Sequence, residues 1–196
     1  MSETLVYQHR MHPLSPNVTF TLGPRALDHE DEKGRVGSIP LGSIIHLRLS
    51  YDPGRIRAVK HVLEIASSDG VKLKLSSNTY AGMGMFKTRH GLFVPFVDAL
   101  VERARAANRT VLVETGRGWS LYTLYLSIWS IFLGAIAWGA GLVTLQGQWA
   151  VGVVLGVMFA YFGWLGYAYA RNNYPRVVVQ GPYPREIMPK PNENDV

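Results

Sequence analysis

The histidines of this chain could supply metal ligands or acid–base catalysts, but their spacing does not complete a site. His9 and His12 are three residues apart, and no acidic residue or further histidine nearby completes a ligand set. His46 and His61 fall on predicted strands beside basic residues, which favours exposed or edge positions over catalytic bases. The chain has no cysteine, so disulfides, thiolate metal sites and cysteine nucleophiles are excluded. We therefore predict no metal and no cofactor.

One carboxylate pair and one glycine-rich segment also lack the partners that would complete a site. Asp98 and Glu102 are four residues apart on a predicted helix, a spacing that a carboxylate pair would use. The neighbouring Arg103 and Arg105 favour a solvated helix face instead. The Gly82–Gly84 segment lacks the rest of a dinucleotide fingerprint. No catalytic residue is assigned, and we predict that the protein is not an enzyme; an enzyme with an unrecognised site is the third hypothesis.

A cluster of basic residues is the remaining candidate for binding chemistry. If its members share a face, each would contribute about 1 kcal/mol of attraction to anionic headgroups. An ordinary solvated strand face is the alternative interpretation. Nucleic acid is not predicted as a partner, because exposed aromatic residues are not interleaved with the basic ones. The candidate headgroup contacts are Arg55, Arg57, Lys60, Lys72 and Lys74.

The element that dominates the chain is a long segment without charge. Residues 118–170 contain no Lys, Arg, Asp or Glu, although 17% of the whole chain is charged. At about 1.5 Å per helical residue, the segment is long enough for two membrane spans and a tight turn. We predict a transmembrane hairpin over 117–171, with spans at about 119–143 and 149–170. The polar turn Gln146–Gln148 separates them.

Basic residues lie on one side of this hairpin only. The connecting turn carries none, so the positive-inside rule places both termini in the cytoplasm and the turn outside. No ionisable residue lies within either span, which argues against a transporter or channel acting alone. The flanking arginines are Arg103, Arg105, Arg109 and Arg117 before the first span, and Arg171 and Arg176 after the second.

Both predicted spans carry a stripe of small residues at helical spacing. Such stripes let helix backbones approach closely. They would either hold the hairpin together or dock another membrane subunit, while the bulky face of the first span (Tyr122, Tyr125, Trp129 and Phe132) would meet lipid or a partner. The predicted packing residues are Ser130, Gly134, Ala137 and Gly141 in the first span, and Gly152, Gly156, Ala160 and Gly163 in the second.

The part before the hairpin reads as short strands followed by one helix. Residues 17–116 form the predicted domain, preceded by an arm over 1–16, and a Pro-rich tail over 172–196 follows the spans. Apolar residues alternate along the predicted strands, and Asp69-Gly70 marks a hairpin turn. From Leu92 to Ala107 apolar residues recur every three to four positions, which predicts an amphipathic helix.

This order of elements resembles a bacterial pleckstrin-homology-like (PH-like) domain over residues 17–108. The resemblance rests on the strand order, the segment Ile39–Ile44, the Asp69-Gly70 hairpin and the closing helix. It implies an α+β fold in which a bent antiparallel sheet or barrel is capped by one helix, in a protein of the bacterial inner (cytoplasmic) membrane. The basic phosphoinositide motif of eukaryotic members is not identifiable, so lipid recognition is not carried over.

Two functions follow as hypotheses. The first is a non-enzymatic accessory or scaffold subunit that docks onto a larger bacterial inner-membrane complex, with other membrane protein subunits as partners. The second is an adaptor that binds anionic lipid through the basic cluster. Homo-oligomerisation stays open, since two spans alone enclose no pathway.

Overall fold

The protein is described here from a computed structural model, covering residues 4–52, 60–83 and 85–189. The chain is α+β, with several sheets and a pair of long apolar helices, as the sequence predicts. It divides into two compact units. Unit 1 comprises the chain up to Gly116 together with the chain from Arg176 onward, and unit 2 comprises Arg117–Pro175. Unit 2 is therefore an insertion within unit 1.

The first sheet of unit 1 is an antiparallel meander. Its four strands are adjacent in chain order, and their alternating apolar residues face the core. The strands are β1 (Leu5–His9), β2 (Val18–Leu22), β3 (Ala26–Asp31) and β4 (Val36–Pro40). A short 3-10 turn, Leu41–Ser43, leads into the second sheet.

The first strand corrects the prediction of an N-terminal arm over 1–16. Residues Leu5–His9 pair with β2, and Tyr7 is buried against Phe93 and Phe96. The Tyr7 hydroxyl donates a hydrogen bond of 2.5 Å to the carbonyl of Ser76. Its inward positions are Leu5, Tyr7 and His9. Leu5 is only partly buried and the third position is a histidine, so the apolar alternation is too weak to be read from sequence.

The second sheet has the strand order β11-β10-β5-β6-β7, in which the edge strand β11 is Arg176–Val177. Its central strands β5 (Ile44–Asp52), β6 (Lys60–Ser67) and β7 (Lys72–Ser76) are antiparallel, and β10 (Leu112–Thr115) runs parallel to β5. The predicted hairpin turn between β6 and β7 is present, and Gly70 has a positive φ of 82° that favours glycine.

A small β-hairpin and a long helix follow β7 in unit 1. The hairpin consists of β8 (Asn78–Gly82) and β9 (Met85–Thr88), and helix α1 (His90–Ala107) follows it directly. The predicted amphipathic helix is present, and the apolar residues that recur every three to four positions in α1 are buried in the core of unit 1. This apolar stripe consists of Phe93, Phe96, Val97, Leu100, Val101 and Ala104.

The C-terminal segment corrects the prediction of a separate tail over 172–196. The last helix, α3 (Trp149–Asn172), ends at the start of this segment, and β11 (Arg176–Val177) pairs with β10. Beyond β11, Tyr183 and Met188 are buried in the core of unit 1. Pro182, Pro184 and Pro189 lie beside these apolar anchors and give the segment an extended, loop-like composition, which conceals its packing at the level of sequence.

Unit 2 is a pair of antiparallel helices. Helix α2 runs over Trp119–Leu145 and α3 over Trp149–Asn172, so both begin at the predicted residues and end two residues later than predicted. Gly147 in the connecting turn has a positive φ of 78°. Both helices are long and apolar enough to cross a membrane, with mean hydropathies of 1.8 and 1.7. Almost none of this apolar surface is buried within the protein, unlike that of a soluble core helix.

Candidate interaction surfaces

The outer face of the second sheet carries a cluster of charged side chains around Glu114. Because β10 and β5 are parallel and in register, Glu114 lies beside His46 and Arg48. Arg48 donates hydrogen bonds of 3.0 and 2.5 Å from Nε and Nη2 to Glu114 Oε2, and His46 Nε2 lies 2.9 Å from the same oxygen. Partial burial would raise the pKa of Glu114, but the hydrogen bonds from Arg48 and His46 outweigh it and lower that pKa.

The predicted headgroup contacts divide into two groups. Arg55 and Arg57 lie outside the described residues. The three lysines are described, and two of them form ion pairs: Lys60 Nζ lies 3.4 Å from Asp52 Oδ2, and Lys74 Nζ lies 2.6 Å from Glu64 Oε1. These ion pairs offset much of the positive charge that the sequence assigned to the cluster.

The described lysines nevertheless lie on the same face of the sheet. Lys74 is opposite Glu64 and Lys72 is opposite Ala66, on the polar side of β6 that also includes Lys60. A shallow groove of about 300 Å³ runs along this face, bordered by His46, Arg48, Glu64, Lys72 and Lys74. With cations and a carboxylate interleaved, the groove suits a polar partner surface of mixed charge better than a single anion.

Side chains on the polar face of α1 bind the C-terminal segment, residues 176–189. This contact was not predicted from the sequence. Arg105 donates hydrogen bonds to the backbone carbonyls of Gly181 and Val178. Asp98 forms an ion pair of 2.7 Å with Arg185. A groove of about 400 Å³ remains beside these contacts, lined by Asp98, Glu102, Arg105, Gly181 and Pro182. Asp98 therefore helps to attach the chain's own C-terminal segment, whereas Glu102 lines the groove beside it.

Three histidines, His9, His61 and His90, are buried in unit 1. The burial of His61 is contrary to the exposed or edge position expected for it. Burial, and secondarily the positive charge of Arg89, lowers the pKa of His9 to about 4. Burial, and secondarily His90, lowers the pKa of His61 to about 4. Both rings are thus neutral at neutral pH. His9 stacks between Tyr7 and Phe20 rather than pairing with His12.

Within the described ranges, no group of three or more His, Asp or Glu side chains is arranged to hold a metal ion. The imidazole rings of His61 and His90 meet edge to face with their centroids 6.4 Å apart, and the side chain of His61 also contacts Tyr51. These contacts are those of packed aromatic side chains.

The contact between α2 and α3 includes several aromatic side chains, and Gly166 lies against the ring of Trp129. Phe162 packs against Trp129 and Phe132 with ring centroids 6.1 and 5.2 Å apart. Tyr125 packs against Tyr169 at 5.3 Å. The expectation that the bulky face of the first span points away from the hairpin is therefore wrong, because aromatic rings fill the space between the helices.

The small residues mostly lie away from this contact. A Cβ added at Gly134, Gly141, Gly156 or Gly163 would meet nothing within 4 Å, so these glycines do not hold the hairpin together. Gly152 differs, since a Cβ there would lie 2.3 Å from Thr144 Oγ1. Ser130, Ala137 and Ala160 are exposed. That the outward stripes pack against another subunit stays a prediction.

No protein-family model, no curated protein and no solved structure matches this chain. A function must therefore be argued from the surfaces themselves. Unit 1 offers a mixed-charge sheet face, and unit 2 offers an apolar helix pair with outward-facing glycines.

Proposed function

We propose that the protein is a non-enzymatic accessory or scaffold subunit of a larger complex in the bacterial inner membrane. The observation that carries this proposal is the open space around Gly134 and Gly141 on α2 and around Gly156 and Gly163 on α3. Aromatic rings pack between α2 and α3. The small-residue stripes of the two helices are therefore available to helices of another protein. Close approach of backbones at such stripes is a main source of helix association in lipid.

The proposed topology has both termini in the cytoplasm. Thr115 of β10 pairs with Arg176 of β11, so the chain leaves and re-enters unit 1 at neighbouring positions. This is the connection expected when an even number of spans returns the chain to its starting side. The arginines at the hairpin's ends and the uncharged turn Gln146–Gln148 support the cytoplasmic side.

For unit 1 we propose a PH-like fold acting as a docking module. Four antiparallel strands, three further antiparallel strands and a long helix with its apolar stripe in the core support this assignment. The hairpin β8–β9, the parallel strand β10 and the strand β11 are departures from the simple pattern. The mixed-charge groove beside Arg48 and Lys74 is the surface we assign to a cytoplasmic part of the partner.

A second candidate function is binding to anionic lipid through the sheet face. The shared face of Lys60, Lys72 and Lys74 favours it, whereas the ion pairs to Asp52 and Glu64 weaken it. Screening of exposed charges by salt would weaken it further.

Extraction of the full-length protein in a mild detergent, followed by sizing and mass spectrometry, tests the scaffold proposal. We expect a complex larger than the protein alone, containing at least one other membrane protein in constant ratio. Gly134→Leu and Gly156→Leu should release that protein. Leu124→Ile, at an exposed position of α2, is the matched control and should not release the co-purifying protein. A homogeneous monomer from wild-type membranes would contradict the proposal.

A further inference from the structure

Two loop tips of unit 1 present large apolar side chains to solvent. Leu14, between β1 and β2, is 92% exposed, and Met83, at the turn of the β8–β9 hairpin, is 97% exposed. Met85 and Phe86 follow in the same hairpin and are also exposed. We call Leu14, Met83, Met85 and Phe86 the apolar tips. Met83, Met85 and Phe86 are close in sequence on one hairpin, and grouped exposed apolar side chains of this kind mark interaction surfaces.

Arg10 links the β1–β2 loop to strand β8 of the hairpin. Its side chain donates hydrogen bonds of 2.9 Å to the carbonyl of Ser15 and 2.8 Å to that of Pro13, which orders the loop that carries Leu14. Its backbone N–H donates to Thr79 Oγ1 at 2.9 Å, and its carbonyl accepts from the N–H of Tyr80 at 2.8 Å. The loop and the hairpin are therefore held side by side.

The charge next to the apolar tips is positive. Residues 4–27 and 70–97 contain no Asp or Glu. Lys87 is exposed beside Phe86 on β9. Arg10 lies over the ring of Tyr80 at 6.0 Å, and Arg89 donates a 2.9 Å hydrogen bond to the carbonyl of Gln8. Apolar side chains bordered by cations are the pattern of surfaces that enter the interface of an anionic bilayer.

Among the described residues, an acidic turn lies at the edge of this surface. The turn between β3 and β4 reaches the end of the β1–β2 loop, where the N–H of Glu32 donates to the carbonyl of Asn17 at 3.1 Å. In that turn Asp31 is ion-paired with Arg35 at 2.6 Å, so its charge is offset.

The connectivity of the chain keeps unit 1 within reach of a bilayer. Only Gly116–Gly118 lies between β10 and the first apolar helix, and β11 follows α3 after three residues. A lipid surface is therefore the partner that unit 1 meets at the highest effective concentration. We propose that the apolar tips insert into the headgroup–acyl boundary of an anionic bilayer, with Arg10, Lys87 and Arg89 facing its phosphates. This proposal needs no partner subunit and is independent of the scaffold proposal.

The test uses single cysteines, which the cysteine-free chain permits directly. Met83→Cys and Leu14→Cys in the full-length protein would each carry an environment-sensitive fluorophore, in nanodiscs of phosphatidylcholine with phosphatidylglycerol. We expect a shift of emission to shorter wavelength and strong quenching by lipids with nitroxides near the headgroup. Val71→Cys, an exposed apolar position in the β6–β7 turn, is the matched control and should show neither. Quenching at Met83 and Leu14 should weaken in nanodiscs of phosphatidylcholine alone.

Several results would overturn the proposal. Emission typical of water at both Met83 and Leu14, from protein whose circular dichroism matches the wild type, would do so. Equal quenching at Val71 would show that insertion is not specific to the apolar tips. Equal quenching in nanodiscs without phosphatidylglycerol would show that the surface need not be anionic. A Met83 label that is aqueous in nanodiscs but buried in native membranes would assign the tips to a protein partner instead of lipid.

Discussion

Asp98 of α1 forms an ion pair of 2.7 Å with Arg185, 87 positions further along the chain and beyond the two apolar helices. Arg105, two turns along the same helix, binds the backbone of the same segment. The last part of the chain is thus a structural part of unit 1.

The C-terminal segment should be needed for the stability of unit 1. Tyr183→Ala removes a side chain that is 1% exposed in the core, and we expect a loss of about 3 kcal/mol. Hydrogen exchange of α1 and β5 in the full-length protein would measure it. Val179→Ala, at a position that is 81% exposed, is the control and should change protection little. Equal protection in both variants would show that the segment is not part of the core.

A charge placed on the buried face of α1 should unfold unit 1. Phe96→Asp would bury an unpaired carboxylate among apolar side chains, which costs several kcal/mol. Leu92→Asp introduces the same group on the same helix at an exposed position and should be tolerated. Limited proteolysis of both full-length variants would separate them, and resistance of Phe96→Asp to cleavage would refute the assigned core.

Unit 1 should lose stability as the pH falls from about 6.5 to 4. In the folded protein the pKa of His9 and of His61 is about 4, below the ordinary value of 6.5, so the unfolded chain binds more protons in this window. Stability is full above pH 6.5, and each histidine removes up to about 3 kcal/mol as the pH approaches 4. Thermal unfolding followed across this range would measure the decline.

The matched variants for this pH effect are His9→Phe and His12→Gln. Phenylalanine keeps the stacking between Tyr7 and Phe20 but does not titrate, so the decline should become shallower. His12 is exposed, and its replacement should leave the profile unchanged. A His9→Phe profile identical to that of the wild type would contradict the role of His9.

Within the membrane hairpin, Gly152 and Gly134 should respond differently to the same substitution. Gly152→Leu places a side chain against Thr144 of the other helix and should separate α2 from α3. Gly134→Leu meets open space within the hairpin, so its effect should appear only in recovery of a partner. Crosslinking between single cysteines on the two helices would report hairpin separation. Equal crosslinking losses for both variants would contradict the assigned contact.

The topology prediction is tested with single cysteines at Gln146 and near each terminus. Because the turn carries no positive charge and the hairpin's ends carry several, we expect reagent added outside the cell to label position 146 alone. Labelling of position 146 from the cytoplasm only would reverse the proposed orientation.

Apolar periodicity predicted several elements well because each contains its own signal. The spacing of Phe93, Phe96 and Leu100 indicated α1, and the charge-free segment indicated α2 and α3 with their first residues. The strand β1 was missed because its inward positions include His9, whose burial depends on Tyr7 and Phe20 around it.

The sequence by itself determined that the chain has a small α+β part and two helices fit to span a membrane, since hydrophobic periodicity and the absence of charge are local properties. Only the tertiary structure decided which face of each helix meets the other. Helices with apolar residues on all sides present no polar boundary, and the fit of Phe162 between Trp129 and Phe132 selected the contact. The tertiary structure also decided that Asp98 forms an ion pair with Arg185, because a pairing between residues so distant in sequence exists only once the core has formed.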